Sequence, residues 1–356
     1  MITSFPILYP DELLYSLFAR YYAQSGHIAY VFAAEDLFER RTTKPDIEFM
    51  NKLTPETNTL VTKNAPLETI IQKHTMFPYY ARFLPRNRRK QALKFLLQTD
   101  EKYHDLLYLP KSKHVTRYLR YCPLCAADDR KLYGETYWHR NHQMLGVDIC
   151  PVHHCYLHSS EILISSKPSP SLENAEAHIL PEKDSVDCGD ELICRIAEYV
   201  HMVFQNPVDM DADIPVGRFF HSKLEYSKYL SPRGEQRNMA LLYADYAMFY
   251  ALLSNNPLNK QWKIQKMFSG DRLNTYEVCL VAMFLDIAPN ELTKMELPKT
   301  SQPEWFDNRI RKLYSQGLKY PEIAQIMSAP YDVVKAIGEG RYHPSAKQKS
   351  RNEAYQ

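Results

Sequence analysis

Glycine is scarce in this sequence, at 10 of 356 residues. Folds rich in sheet lean on glycine for their tight turns, so the scarcity favours helices. No run of about 18 apolar residues occurs, and no membrane span is expected. The opening MITSFPILYPDELL has neither a basic stretch nor a long apolar core, so it does not read as a signal peptide, and the expected location is cytoplasmic. An excess of one charge is missing too: 44 Lys and Arg face 42 Asp and Glu, a net charge of +2. Bulk charge therefore says nothing about nucleic acid. The chain lacks a G-x-x-x-x-G-K-[ST] loop, a G-x-S-x-G elbow, an H-E-x-x-H pair and a Rossmann glycine pattern. No set of carboxylates stands out as a two-metal centre. The expectation is a protein that binds and recruits rather than an enzyme, with a zinc-dependent nuclease as the competing catalytic class.

Seven cysteines are present, at 122, 125, 150, 155, 188, 194 and 279. An odd number without an export signal argues against a disulfide framework, and four of them within 34 residues point to metal. Cys122-Pro-Leu-Cys125 is followed after 24 residues by Cys150-Pro-Val-His153. Two such knuckles each put two soft ligands on one turn, and the insert lets the pairs face each other across a tetrahedral zinc ion. All four positions would be filled by protein, which makes the zinc structural. His154, Cys155 and His158 lie close in sequence, so Cys150 with Cys155 is an alternative register. Cys188 and Cys194 are either core and linker residues or ligands of a second ion. Cys279, within VCLVAMFL, reads as core.

Length allows two or three compact units. Residues 10–24 read as a helix, with Asp11 and Glu12 at its positive end and Leu13, Leu14, Leu17 and Phe18 as its apolar stripe. A second periodic stretch runs from Val31 to Phe38, and helices between Pro66 and Gln98 are broken by Pro78 and Pro85. The resulting fold class is mainly α. Its expected parts are an N-terminal helical region (1–115), a small zinc-finger module (116–160), a linker (161–190), a helical domain with a first helix-turn-helix candidate (191–300), a C-terminal helix-turn-helix (301–345) and a tail (346–356).

The stretch Trp305–Tyr342 has helix-turn-helix spacing. Trp305, Ile310, Leu313 and Tyr314 mark one helix, ended by Gly317, and Ile323, Ala324 and Ile326 mark a second. Ser328-Ala329-Pro330 is the turn, and a third helix packs through Val333, Val334 and Ile337. Tyr331 and Lys335 would face the major groove and Arg341 a phosphate. The other candidate is a long helix opening at Pro232 that presents Arg233, Gln236 and Arg237, supported by a core of Trp262, Ile264, Met267 and Phe268. Basic clusters lie at Arg82, Arg86, Arg88, Arg89, Lys90 and Lys94; at Lys111, Lys113, Arg117 and Arg120; and at Lys347, Lys349 and Arg351. Such clusters serve most often as solvated faces and otherwise as phosphate contacts.

Three blocks, SFPILYPDELLYSLFARY, KHTMFPYYARFLP and RYCPLC…YGETYWHRNHQMLGVDICPVHHCYL, together resemble the TnsD/TniQ family, the target-selection proteins of Tn-seven-like transposons. FPYYARF is closer to the TnsD branch. The resemblance implies zinc on Cys122, Cys125, Cys150 and His153, and a packing role for Trp138 and Arg140. It also implies a double-stranded DNA target site and recruitment of the AAA+ ATPase TnsC, which engages the transposase complex. TniQ-type members join an RNA-guided CRISPR effector instead. With no catalytic constellation, influence on transposition must pass through a contact surface. Phe5, Ile7, Leu8 and Tyr9, apolar residues ahead of the first helix, are the candidates for the ATPase.

Overall fold

The structure is a computed structural model, describing residues 2, 4–98, 102–107, 109, 117–164, 171–181, 184–224, 227–230, 237–269, 273–297, 305–327 and 331–341. It is mainly helical, as expected, and divides into two compact units. One comprises Met1–Pro215 with Asp271–Lys294, the other Val216–Gly270 with Met295–Gln356.

In the first unit, helix Leu14–Gln24 buries Leu14, Leu17, Phe18 and Tyr21. It starts later than the periodicity suggests. Asp11 turns into the left-handed region (φ 56°), and Glu12 bridges to His139 instead of opening the helix. The two carboxylates do not sit on the helix dipole because arginines claim them. Glu12 lies 3.1 Å from Arg20 Nη1, and Asp11 lies 3.2 Å from Arg140 Nε. Helix Tyr30–Leu37 follows, then Pro55–Val61, where Thr54 Oγ1 caps the Thr57 N–H. Leu67–His74, Phe77–Ala81 and Arg86–Leu97 complete this region. Pro78 falls in the first turn of its helix and Pro85 just before the next, positions where a missing N–H costs little.

A short antiparallel pair, Tyr118–Tyr121 with His158–Leu163, brackets the cysteine knuckles, with Tyr121 opposite His158. The insert between the knuckles is sewn to the N-terminal turn. Trp138, fully buried, receives the Leu13 N–H on its carbonyl at 3.0 Å, and its own N–H donates to Ser16 Oγ at 3.0 Å. Its indole N–H donates to the Glu173 carbonyl at 2.8 Å. That bond draws in part of the segment read as a linker, where Leu172, Ala175 and Ile179 are buried. Helix Glu191–Gln205, capped by Asp190, packs against Thr275–Phe284 and Pro289–Lys294.

In the second unit, helix Gln261–Ser269 packs on Val216–Lys223 and Met239–Phe249. Helices Trp305–Ser315, Tyr320–Ile326 and Tyr331–Gly338 pack on one another through Ile310, Leu313, Ile323, Val334 and Ile337. Gly317 ends the first of these three in the left-handed region (φ 90°), where a side chain is strained.

Candidate metal centre and helix-turn-helix

Strand Tyr118–Tyr121 delivers Cys122 to the first turn of helix Pro123–Tyr133, where Cys122 Sγ accepts the Cys125 N–H at 3.4 Å. The second knuckle repeats this pattern, with Cys150 accepting from the backbone of Val152 and His153. The ligand atoms of Cys122, Cys125, Cys150 and His153 all lie within 4.8 Å of one another. Zinc bonds of about 2.3 Å to sulfur and about 2.0–2.1 Å to nitrogen, set in a tetrahedron, require about 3.8 Å between sulfurs and about 3.5 Å from sulfur to nitrogen. Cys125 and Cys150 are 3.6 Å apart, and His153 Nδ1 lies 3.5, 3.3 and 3.8 Å from Cys122, Cys125 and Cys150. The donor set fits such an ion.

The surroundings add two side chains that motif spacing did not single out, Asp128 and His142, and one, Cys155, that it offered as an alternative ligand. Asp128 Oδ2 lies 3.2 Å from His153 Nε2, which leaves Nδ1 as the ligating nitrogen. The buried His142 places Nε2 3.8 Å from Cys150 Sγ, and burial holds its imidazole neutral, with its pKa lowered to about 3. Cys155 Sγ lies 3.4 Å from Cys122 Sγ. Hydrogen bonds from Cys122 and Cys125 push the Cys150 thiol strongly down, and those with Cys122 and Cys150 push Cys125 up. Three crowded sulfurs share negative charge, which a cation among them would neutralise. His154 faces elsewhere, paired with Glu198 at 2.8 Å, and His158 stacks on Tyr121. Cys188 lies near the Tyr156 hydroxyl at 3.9 Å. Among the described residues, no second group of three or more such ligands converges.

Several arginines of the basic clusters serve another purpose than either expected, whereas Lys90 and Lys94 stay on a solvated face. Arg82 donates to the Asn206 and Pro207 carbonyls, Arg88 to Leu106 and Asp105, and Arg89 to Leu84 and Ala212. Arg86 and Lys90 pair with Asp211, and Arg117 with Glu48 at 2.6 Å. Arg120 donates to the Val147 and Met144 carbonyls. Arg82, Arg88, Arg89, Arg117 and Arg120 thus tie segments of the first unit together, and Arg86 and Lys90 do so at its surface. Lys111, Lys113, Lys347, Lys349 and Arg351 lie outside the described residues.

The C-terminal three-helix arrangement is present, although its turn at 328–330 lies outside the described residues. Tyr331 is 44 % exposed, Lys335 rests its ammonium 5.9 Å from the Tyr331 ring, and Arg341 pairs with Glu339. In the weaker candidate, Arg233 and Gln236 lie outside the described residues. The helix there begins at Met239, not Pro232, and Arg237 precedes it, its guanidinium 4.9 Å over the Phe268 ring. Ile264, Met267 and Phe268 are core as expected. Trp262, at 58 % exposure, is not, because it sits on the outer side of its helix.

At the N-terminal arm, Tyr9 is held rather than presented. Arg20 lies 3.7 Å over its ring, and Tyr133 stacks on it at 4.2 Å. Phe5 contacts Tyr21, Leu8 is half-buried, and Ile7 projects with 68 % of its surface exposed.

Residues 3–157, from this arm through both knuckles, match the TniQ family. That segment, somewhat under half of the chain, is what is similar to the TniQ family. Over 154 residues it is 29% identical to the Transposon Tn7 transposition protein TnsD of Escherichia coli. The match takes in 42% of this chain and 30% of that protein, so the chain spans under a third of that relative's length. The TniQ segment ends just beyond Cys155, and both helix-turn-helix candidates lie after it. Among the described residues no helix is long and apolar enough to cross a membrane.

Proposed function

We propose that this protein selects target sites for Tn7-type transposition, acting by contact rather than catalysis. It would bind a specific attachment site in double-stranded DNA and recruit the AAA+ regulator TnsC, which brings in the transposase. The TniQ match carries this reading. In it, one structural zinc on Cys122, Cys125, Cys150 and His153 braces the TniQ fold. Tyr331, Lys335 and Arg341 contact DNA, with Arg237 and its neighbours Arg233 and Gln236 as a second contact. Ile7, at the crest of the arm formed with Phe5, Leu8 and Tyr9, meets the ATPase.

The test is a gel-shift series with the purified chain against the DNA flanking its own element. Retention of one flank in preference to unrelated DNA is the expected result, lost on removing residues 301–356. Equal, weak binding to all DNA, together with capture of an RNA-guided CRISPR effector, would replace direct targeting with the TniQ-type adaptor role. For recruitment, Ile7→Asp should end TnsC pull-down while leaving DNA binding intact. Unchanged pull-down removes the arm from the interface.

A further inference from the structure

Beside the four converging ligands the metal centre has a fifth donor at its edge, Cys155, against Cys122. Cys122, Cys125, Cys150 and Cys155 form one buried cluster of sulfurs, whereas His153 keeps 22 % of its side chain exposed. Its outer nitrogen meets Asp128, whose own side chain is 60 % exposed. His153 is therefore the ligand that water, or a partner reaching Asp128, can most readily pull away. Cys155 is the opposite, 2 % exposed and fixed in place. The Cys150 N–H donates to the Cys155 carbonyl at 2.8 Å, and the His154 N–H donates to the Cys150 carbonyl at 2.9 Å. This closed turn sets the Cys155 sulfur 3.4 Å from Cys122 Sγ, inside the spacing of two thiolates on one ion.

We propose that Cys155 is a reserve ligand, converting the centre from three sulfurs and one nitrogen to four sulfurs when His153 is withdrawn. In the exchange Cys155 gives its thiol proton to solvent and takes the position that His153 Nδ1 leaves. The centre then carries one more negative charge, which the nearby His142 ring, with Nε2 3.8 Å from Cys150 Sγ, would temper in the tautomer protonated there. The outer loop bearing His153 and Asp128 could thus be remodelled without loss of the ion. This inference rests on the reading that the cluster binds zinc.

The experiment uses the full chain loaded with Co²⁺ in place of Zn²⁺, read by metal content and by its electronic spectrum. The wild type should hold one ion with a three-thiolate spectrum; no metal in the wild type overturns the zinc reading itself. His153→Ala and His153→Gln should each keep one ion and shift to stronger sulfur charge-transfer absorption with d–d bands at longer wavelength. Cys155→Ala alone should keep the wild-type spectrum, and His153→Ala with Cys155→Ala should lose the ion. The proposal is overturned if both His153 variants lose metal that the wild type retains. It is equally overturned if they keep the ion with an unshifted spectrum, since water would then hold the fourth position.

Discussion

Arg140 grips Asp11 through both main chain and side chain: its N–H donates to the Asp11 carbonyl at 2.8 Å and its Nε–H to the carboxylate at 3.2 Å. The remaining arms of the same guanidinium reach the Gln72 carbonyl and Gln205 Oε1, and its plane lies 4.2 Å over Phe204. One buried cation thus joins the N-terminal turn to the ends of two helices. Arg140→Ala should destabilise the chain by about 3–5 kcal/mol, since Asp11 is left without its counter-charge. Arg140→Lys should recover only part of this, because an ammonium lacks the planar fork that serves several acceptors. Urea unfolding midpoints of the three proteins check the order.

Metal removal should unfold the region around the knuckles. A chelator, or Cys122→Ser, should lower the melting temperature and promote aggregation, with one zinc per chain released from the wild type. Because thiolates must form to bind, apparent zinc affinity should fall as pH drops. Metal analysis of pure wild-type protein showing no zinc would end this account.

Acid sensitivity should come in part from His74. Its Nδ1 lies 2.8 Å from the Glu12 carbonyl, and burial, with Arg140 nearby, lowers its pKa below the usual value near 6.5. The folded state therefore binds fewer protons here than the unfolded chain. Its contribution is complete above about pH 6.5 and is lost as pH falls toward the depressed folded value. His74→Gln should flatten that part of the stability–pH curve. An unchanged slope between pH 7 and 5 would show that His74 takes no part.

At Gly338 an added Cβ would stand 2.3 Å from the Tyr320 ring, itself stacked on Tyr314 at 4.7 Å and so unable to swing away cheaply. Gly338→Ala should cost about 1–3 kcal/mol by overpacking and weaken DNA retention with it. Gly317→Ala meets open space and only backbone strain, about 1–2 kcal/mol. Thermal melts place the two in order, and a neutral Gly338→Ala would mean these helices do not close as described.

How much of this was legible in the sequence depends on how local each cause is. The knuckles were, because four ligands on two tight turns leave few ways to arrange them. The three C-terminal helices were, because Ile310, Leu313, Ile323, Val334 and Ile337 repeat at helical spacing. The inward use of Arg82, Arg88 and Arg89 was not: their acceptors are backbone carbonyls, which no residue code announces. The late start of the first helix was hidden for another reason: Arg20 and Arg140 claim the Glu12 and Asp11 carboxylates, pairings that helix periodicity does not announce.

The DNA-facing assignment makes an ionic-strength prediction. Lys335→Ala and Arg341→Ala should each weaken binding and shallow the slope of log affinity against log salt by about 0.9 per lost phosphate contact. Since Arg341 pairs with Glu339, Glu339→Gln should release the guanidinium and strengthen binding to any duplex. Filter binding at several salt concentrations reads all three, and identical slopes would remove these residues from the interface.

The division of the chain has a practical corollary for dissection. Because Asp271–Lys294 belongs with Met1–Pro215, the polypeptide leaves the first unit, returns to it and leaves again. Any fragment ending between residues 215 and 270 strips helix Glu191–Gln205 of two helices that pack on it, and leaves the buried Tyr199 hydroxyl without the Ile287 carbonyl it donates to. Simple C-terminal trimming would then report insolubility where the intended question was DNA binding. An excision that deletes 216–270 and rejoins the flanks with a short Gly-Ser bridge keeps that packing and asks the question cleanly.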